Sequence, residues 1–182
     1  MTKKITKKQR KTVDEKIERL SAIKKAKLTP RMNIVGIDQA TNLGISWQLK
    51  NEEKFDYDCW DLSIKSKESQ GVKWIRFESK LRDFLKKYKI QILAYELPAG
   101  RNINPIVHSS KLICIMEKLC CELEIEYIEF SATEVKKFGS GNGNAKKELM
   151  VESASKLWGY SGNNDNEADA IHILHLLKSK IN

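Results

Sequence analysis

The sequence predicts a mixed α/β fold with a five-stranded sheet, and three observations carry this prediction. Two short apolar runs, 34–37 and 90–95, are typical of strands buried on both faces. The first run passes through a turn into a second strand at 44–49, which makes a hairpin. After a third strand, helical patterns alternate with strands, which is the order of a sheet covered by helices. We therefore expect three antiparallel strands followed by helix, strand, helix, strand and helix.

The charge divides the chain into two parts. Residues 1–31 hold 12 Lys or Arg and 3 Asp or Glu, whereas residues 32–182 hold 21 of each, so the whole excess of +9 lies in the first part. Such a block is typical of a nucleic-acid-binding arm or a solvated tail. Its residues 13–27 have the pattern of an amphipathic helix, which either packs on the body or contacts DNA. We divide the chain into a basic, partly helical extension (1–31) and a body (32–182).

Several classes of protein are excluded by composition. No apolar run approaches the length of a membrane span, and no apolar segment follows the lysine-rich start, so we expect neither a membrane protein nor a secretion signal. None of the four cysteines forms a C-x-x-C pair and there are three histidines, which argues against a structural zinc site. Free thiols in a reducing cytoplasm are the simplest interpretation.

The body can be divided into elements from its periodicity. The patterns predict a third strand at 54–63, an amphipathic helix at 72–88, a long helix at 104–123, a strand at 127–130, a helix N-cap at Ser131 with a capping box to Glu134, a glycine-rich loop at 139–144, a helix at 145–158 and a last helix at 167–178.

Three acidic residues occupy positions that should be buried. Asp38 ends the first strand, Glu96 follows the apolar run 90–95, and Asp169 lies in a last helix that is apolar nearly all round. A buried carboxylate is costly unless something neutralises it. Asp38 alone could merely cap a turn. Asp165 lies one helical turn before Asp169 and, with His172, on the same face; the helix dipole explains Asp165 well but Asp169 poorly.

Clustered carboxylates point to a bound cation. They raise each other's pKa values, and oxygen ligands are what Mg²⁺ and Mn²⁺ prefer. Two such ions at about 3.5–4 Å separation form the clamp used for in-line phosphodiester hydrolysis. The acids therefore predict a metal-dependent nuclease.

Four motifs, in order, resemble those of the RuvC-type Holliday-junction resolvases. They are Gly36-Ile37-Asp38, Tyr95-Glu96, the segment SATEVKK…GSGNGNAKK, and Glu167-Ala168-Asp169-Ala170, and they span about residues 32–178. The resemblance implies a ribonuclease H-like fold, a homodimer, and Mg²⁺-dependent paired nicking of four-way DNA junctions. Mn²⁺ would substitute for Mg²⁺, with two ions in each active site.

The resemblance also assigns roles to residues. By motif matching, Asp38, Glu96 and Asp169 would be catalytic metal ligands, and Lys136 and Lys147 would approach the scissile phosphate and the DNA backbone. The full set of candidate DNA-binding residues is Lys136, Lys137, Lys146, Lys147 and Arg101, the first four of which flank the glycine-rich loop.

The helix from Asn104 would be the dimer helix. It is more apolar than one buried face requires, and Ile115 is expected to point outward; complete packing in the core is the alternative.

The chain departs from the family pattern at two positions. Asn166 stands where the family usually has a fourth carboxylate or a histidine, three residues before the last aspartate. Asp165 or Glu167 could substitute, and we assign Asp165 as the fourth catalytic ligand because it faces the right side. Leu97-Pro98-Ala99 replaces the aromatic residue that often follows the strand acid.

Other functions remain open at this stage. The segment GIDQATNLG also resembles the first phosphate motif of actin-like ATPases, but those proteins need two such domains and the 151 residues of the body suffice for one. A junction-binding protein with weakened catalysis, and a ribonuclease H-like nuclease acting on flaps or RNA-containing duplexes, are the further alternatives.

Overall fold

The computed structural model describes residues 31–100 and 102–181, and in this part of the chain a five-stranded sheet is covered by five helices. The strands are β1 (Ile34–Asp38), β2 (Asn42–Gln48), β3 (Asp56–Asp61), β4 (Ile92–Leu97) and β5 (Glu126–Ser131). The helices are α1 (Gln70–Lys87), α2 (Ile103–Leu123), α3 (Ala132–Ser140), α4 (Lys147–Trp158) and α5 (Asp165–Ile181). The predicted helix at 13–27, the rest of the extension up to residue 30, and Arg101 lie outside the described residues.

The strand order is β3-β2-β1-β4-β5. The first three strands are antiparallel, while β4 is parallel to β1 and β5 is parallel to β4. The predicted mixed sheet is therefore confirmed. Because β2 is antiparallel to both β1 and β3, strand β3 runs parallel to β1. Strands β1, β3, β4 and β5 therefore all end on one side of the sheet. We call this side the carboxyl end of the sheet.

The sheet separates two apolar cores because successive side chains of a strand point to opposite faces. On one face, alternate residues of β1 and β4 pack with α1 and α2; this core includes Val35, Ile37, Leu93, Tyr95, Phe77, Leu81, Leu112 and Met116. On the other face, the remaining residues pack with α3, α4 and α5; this core includes Ile34, Ile92, Ala94, Phe130, Val135, Ile173, Leu174 and Leu177.

Two glycines let α5 lie directly on the β1–β2 hairpin. A Cβ atom on Gly36 would lie 2.5 Å from the backbone nitrogen of Leu174, and one on Gly44 would lie 1.9 Å from the carbonyl oxygen of Asn166. Gly44 is also the residue that pairs with Asp38 in the sheet. The absence of these two side chains therefore brings the first turn of α5 against the end of β1.

Some elements differ from their predicted extent. The last helix begins at Asp165, two residues before the predicted start, because Asn164 Oδ1 accepts a hydrogen bond from the Asn166 backbone at 2.9 Å. Ser131 is the predicted N-cap, with its hydroxyl accepting from the Glu134 backbone at 3.2 Å, and it starts a full helix, α3. Glu96 lies inside β4 rather than after it.

The expectation for Ile115 was wrong. Ile113 and Ile115 are partly buried and pack against the core between the sheet and α1. The apolar residues of α2 that are exposed are Ile103 (72%) and Val107 (45%), both in its first two turns. The outer surface of α2 is therefore less apolar in its middle than the composition of the helix indicates.

The four cysteines are free thiols. No helix in the described ranges combines the length and the apolar character needed to cross a bilayer.

Candidate active site

The three acids predicted to act together meet at the carboxyl end of the sheet. Asp38 is the last residue of β1, and Glu96 lies in the adjacent parallel strand β4, where Ile37 is in register with Tyr95. Both acids lie two or four residues after residues of the core beneath α5, so they are on the same face of the sheet and point toward that helix. Asp169 comes from the second turn of α5, which Gly44 and Gly36 hold close to β1.

Burial and mutual repulsion raise the pKa values of these carboxyls. Burial raises the pKa of Asp38 well above its usual value, and the charges of Asp169, Glu96 and Asp165 raise it further. The pKa of Glu96 rises to about 7 through burial and the charge of Asp169. The pKa of Asp169 rises to about 6 through burial and the charge of Asp165. Four carboxyls therefore lie within electrostatic range of one another, and the fold holds them together at a cost.

Two lysines face the cluster. Lys147, at the start of α4, donates a hydrogen bond to the carboxylate of Asp165, and this bond lowers the pKa of Asp165. The positive charge of Lys147 also lowers the pKa of Asp38 and Asp169. Lys136, from α3, lowers the pKa of Glu96 and Asp169. The cations thus offset only part of the repulsion, because Asp38, Glu96 and Asp169 retain raised pKa values.

The other two lysines of the glycine-rich segment are placed differently. Lys137 and Lys146 are exposed, and neither is among the charges that shift the pKa values of the carboxyls. The structure therefore brings Lys136 and Lys147 to the acids and leaves Lys137 and Lys146 on the outer surface of the same segment.

Asp165 and Glu167 have different hydrogen-bond partners. Glu167 accepts a hydrogen bond from the hydroxyl of Tyr160 at 2.7 Å, and that hydroxyl also accepts from the Asn164 backbone at 2.9 Å. Glu167 is thus tied to the turn before α5, while Asp165 acts on the pKa values of Asp38 and Asp169. Of the two candidates for the fourth carboxylate, Asp165 is the one whose charge reaches both Asp38 and Asp169.

The histidines of α5 are structural. His172 is fully buried, accepts a hydrogen bond from the Trp158 indole at 3.1 Å, and contacts the hydroxyl of Ser153 at 3.2 Å. Its burial lowers its pKa to about 4. His175 stacks on Trp158 with 3.8 Å between ring centroids. His172 is therefore on the same side of α5 as Asp165 and Asp169, but it is packed in the core and bonded to Ser153 and Trp158.

Gln39 is a residue of the site region that the sequence did not single out. It is buried, its side-chain amide nitrogen donates to the backbone carbonyl of Glu96, and its backbone carbonyl accepts from the Ser109 hydroxyl at 3.0 Å. It therefore links the ends of β1 and β4 to α2. In the sequence it is simply the first polar residue after a strand, which is equally typical of a turn.

The donor set fits a hard cation. One carboxylate oxygen of Asp169 is buried and has no hydrogen-bond partner among the described residues. An unpaired buried oxygen among repelling carboxylates is stabilised by an ion that accepts oxygen ligands. No group of three or more His, Cys, Asp or Glu side chains in the described ranges is arranged to hold a metal ion as it stands. Sharing an ion would therefore require the side chains to turn toward one another.

Curated relatives identify the family. The chain is 30% identical over 162 residues to the crossover junction endodeoxyribonuclease RuvC of Ehrlichia ruminantium strain Gardel. The alignment covers 82% of this chain and 99% of that protein. The strain Welgevonden protein of the same name matches to the same extent. The chain belongs to the RuvC family. No family model matches this RuvC-family sequence.

Solved structures of RuvC proteins share the fold. Thermus thermophilus RuvC superposes with a TM-score of 0.65 at 17% identity, covering 82% of this chain and 96% of that one. The T. thermophilus RuvC in complex with a Holliday junction substrate gives 0.67 at 18% identity, covering 82% and 93%. The yeast mitochondrial Holliday junction resolvase Ydc2 gives 0.53 at 13% identity, covering 86% and 83%. The predicted ribonuclease H-like architecture is therefore confirmed.

Proposed function

We propose that this RuvC-family protein is a divalent-metal-dependent endonuclease that resolves four-way DNA junctions by paired nicking. The observation that carries the proposal is the gathering of Asp38, Glu96, Asp165 and Asp169 at one end of the sheet, where burial and repulsion make the charges of the first two and of Asp169 costly. Membership of a family of crossover junction endodeoxyribonucleases supports it. So does the likeness to a T. thermophilus RuvC that was solved with a Holliday junction.

The metal would be held by the four carboxylates. We expect Mg²⁺, with Mn²⁺ able to replace it, at two ions per site, because hard cations select oxygen donors. When bound, such ions lower the pKa of water and stabilise negative charge on a phosphodiester. Asp38 and Glu96 are fixed by the sheet and by the hydrogen bonds of Gln39, so they would hold a constant position while Asp165 and Asp169 adjust.

The lysines would place the DNA. Lys136 and Lys147 carry the positive charge nearest the carboxylates, so a phosphate that approaches the acids meets a cation from α3 and one from α4. Lys147 is 74% exposed and bound to Asp165. If a metal ion binds the Asp165 carboxylate, the Lys147 ammonium group becomes available to bind a DNA phosphate. Lys137 and Lys146 would contact the backbone farther along the strand.

We further propose that the protein acts as a homodimer. A four-way junction has approximate two-fold symmetry, and a C₂ dimer supplies two active sites related in the same way. The exposed apolar residues Ile103 and Val107 make the start of α2 the part of the dimer helix best suited to the contact.

The test is cleavage of synthetic DNA with and without Mg²⁺. A four-way junction should be nicked on two opposing strands at a higher kcat/KM than a flap, a Y structure or an RNA–DNA hybrid. Preference for the flap or the hybrid would instead favour a ribonuclease H-like nuclease of another specificity. Tight junction binding with no cleavage in either metal would favour a binding protein with weakened catalysis.

A further inference from the structure

A second positively charged region lies on the opposite face of the sheet from α5. Helices α1 and α2 follow β3 and β4, so both begin at the carboxyl end of the sheet, and they pack side by side. Their N-terminal parts bring together Lys73 and Trp74 of α1 with His108 and Lys111 of α2. We call these four residues the basic corner.

The residues of the basic corner surround one indole ring. The ammonium nitrogen of Lys73 lies 4.9 Å from the ring centroid of Trp74, and that of Lys111 lies 5.8 Å from it. The His108 ring lies 5.4 Å from the same indole. Lys73 is unusual for a lysine because it is only 7% exposed. Burial of most of a lysine side chain makes its charge more costly unless an anion neutralises it.

The basic corner lacks a carboxylate. Within the described ranges neither Lys73 nor Lys111 takes part in an ion pair, whereas Lys118 on the same helix α2 is paired with Glu78 of α1. Burial lowers the pKa of Lys73, and the charge of Lys111 lowers it further. Burial also lowers the pKa of His108, with both lysines adding to the shift. The positive charges of the basic corner therefore repel one another.

Two further observations point to a missing anion. The Nε2 atom of His108 is buried and has no hydrogen-bond partner among the described residues. Neither α1 nor α2 has an acidic residue in its first turn, and Ser69 makes no side-chain hydrogen bond as the N-cap of α1. The positive end of the α1 dipole therefore adds to the charge of Lys73.

Hydrogen bonds join the helix that carries His108 and Lys111 to the ends of the strands that carry Asp38 and Glu96. Ser109, next to His108, donates to the carbonyl of Gln39, and the Gln39 amide donates to the carbonyl of Glu96. Gln39 itself follows Asp38 in the chain. The position of the basic corner relative to the cleavage site is therefore fixed by the fold, so an anion bound at the corner has a fixed position relative to the bond that is cut.

We propose that the basic corner is a second DNA-binding site, in which Lys73, His108 and Lys111 hold a backbone phosphate of the junction on the far side of the cleavage site from Lys136 and Lys147. This inference rests on the proposed function. Two phosphate contacts on opposite sides of the carboxylates would fix the direction of the strand. Trp74 holds the two ammonium groups in place by cation–π contact.

The first measurement is the salt dependence of junction binding without divalent ions. The slope of the logarithm of the association constant against the logarithm of the salt concentration is negative. We expect the Lys111→Ala substitution, at an exposed position, to make this slope less steep by about one. One lost phosphate contact changes the affinity by a factor of about eight between 1 M and 0.1 M salt. The dissociation constant of Lys111→Ala at 0.1 M salt should therefore be about eightfold higher than that of the unmodified protein. Lys73→Met should act in the same direction. The matched control is Lys86→Ala, which removes one charge from the other end of α1.

The second measurement identifies the contact. A junction carrying a neutral methylphosphonate at single positions near the cleavage site should bind the unmodified protein weakly when the contacted phosphate is replaced. The Lys111→Ala protein should show no further loss at that same position. Losses that add independently at every position would overturn the proposal.

Other outcomes are equally decisive. If Lys111→Ala and Lys86→Ala bind alike while the unmodified protein binds and cleaves the junction, the basic corner does not contact DNA, although the proposed function stands. If the unmodified protein neither binds nor cleaves the junction, the proposed function itself fails. If Lys111→Ala changes the molar mass in light scattering and leaves the salt slope unchanged, the basic corner is a contact between subunits and the inference is wrong.

Discussion

The carboxyl groups of the site are held where ionisation is unfavourable. Asp38 and Glu96 occupy the ends of two buried strands, and Asp169 lies on the inner side of a helix packed against them. In the folded protein each keeps its proton to a higher pH than in the unfolded chain. When these three carboxyls are ionised, they therefore lower the stability of the metal-free protein.

The first prediction follows from this raised affinity for protons. Between pH 4.5, the usual pKa of a glutamate, and about 7, the pKa of Glu96 here, the folded state binds a proton that the unfolded chain has lost. The free energy of unfolding should therefore fall as the pH rises through this window. Glu96→Gln should stabilise the metal-free protein by about 1–3 kcal/mol at pH 8 and have little effect at pH 4.

Thermal unfolding at the two pH values measures this effect, at about 2–4 °C per kcal/mol for a chain of this size. Exposed Glu52, in the turn after β2, supplies the control, Glu52→Gln, which should not change the melting temperature. Mg²⁺ or Mn²⁺ should raise the melting temperature of the unmodified protein more than that of Glu96→Gln. A Glu96→Gln protein that is less stable than the unmodified one at pH 8 would contradict the prediction.

The second prediction separates the two candidates for the fourth carboxylate. Asp165 acts on the pKa of Asp38 and Asp169, whereas Glu167 is bound to Tyr160. Asp165→Asn should therefore lower the rate of junction cleavage by about tenfold or more, the range seen when groups that support a metal are removed. Glu167→Gln should leave the cleavage rate within about twofold. Single-turnover cleavage at saturating Mg²⁺ measures both, and equal, mild effects would mean that both acids only cap the helix.

These residues illustrate how far the sequence leads. Asp38, Glu96 and Asp169 can be predicted because a carboxylate inside an apolar pattern stands out. The sequence favours Asp165 over Glu167 by its helix face alone. The contact that holds Glu167 comes from a hydroxyl seven residues earlier, which only the folded turn brings onto it. Gln39 has no pattern at all, since its hydrogen bonds join residues that are far apart in the chain.

The position of α5 is the main determinant of the site among the secondary-structure elements. The helix carries two of the four acids, and its distance from β1 depends on residues that have no side chain. Gly44 lies under the carbonyl of Asn166, and Gly36 lies under Ala170 and Leu174. The strands and helices themselves follow from periodicity, but such a close approach depends on tertiary packing, which a local pattern does not contain.

The third prediction concerns this approach. Gly44→Ala would bring a methyl group to within 1.9 Å of the Asn166 carbonyl oxygen, so α5 must move away from the hairpin. We expect a loss of about 1–3 kcal/mol of stability, the usual cost of overpacking, and loss of cleavage because Asp165 and Asp169 move with the helix. Urea denaturation and junction cleavage measure the two effects.

A matched glycine serves as the control. Gly71 lies in the first turn of α1, where the nearest atom to an added Cβ would be the Ser69 hydroxyl oxygen at 3.8 Å. Gly71→Ala should therefore stabilise the protein by about 0.4–1 kcal/mol and leave cleavage unchanged. If Gly44→Ala behaves like Gly71→Ala, the close packing of α5 on β2 is not needed for the site.

The proposed paired nicking requires two such sites at one junction. The fourth prediction therefore concerns the surface of α2. Val107→Glu places a charge at an exposed apolar position and should give a folded monomer that binds junctions weakly and rarely cuts both strands. Ile115 is unsuitable for this purpose because it packs against the core, so a glutamate there would disturb folding.

Light scattering and circular dichroism measure the oligomeric state and the fold of Val107→Glu. The control is Ile64→Glu, which adds the same charge at a similarly exposed apolar residue in the loop after β3. An unmodified protein that is monomeric both free and on a junction would contradict the dimer.

The proposed function requires that Asp38, Glu96 and Asp169 hold the metal that drives cleavage and do not hold the DNA. The most direct measurement compares junction cleavage and junction binding for Asp38→Asn, Glu96→Gln and Asp169→Asn in Mg²⁺. We expect each variant to lose cleavage by more than about a hundredfold, since even the outer partners of a metal contribute ten- to a hundredfold. Junction binding should remain within about threefold, because no DNA contact is removed and one repelling charge is lost. Near-normal nicking by any of the three would show that its carboxylate is not a ligand, and would contradict the account.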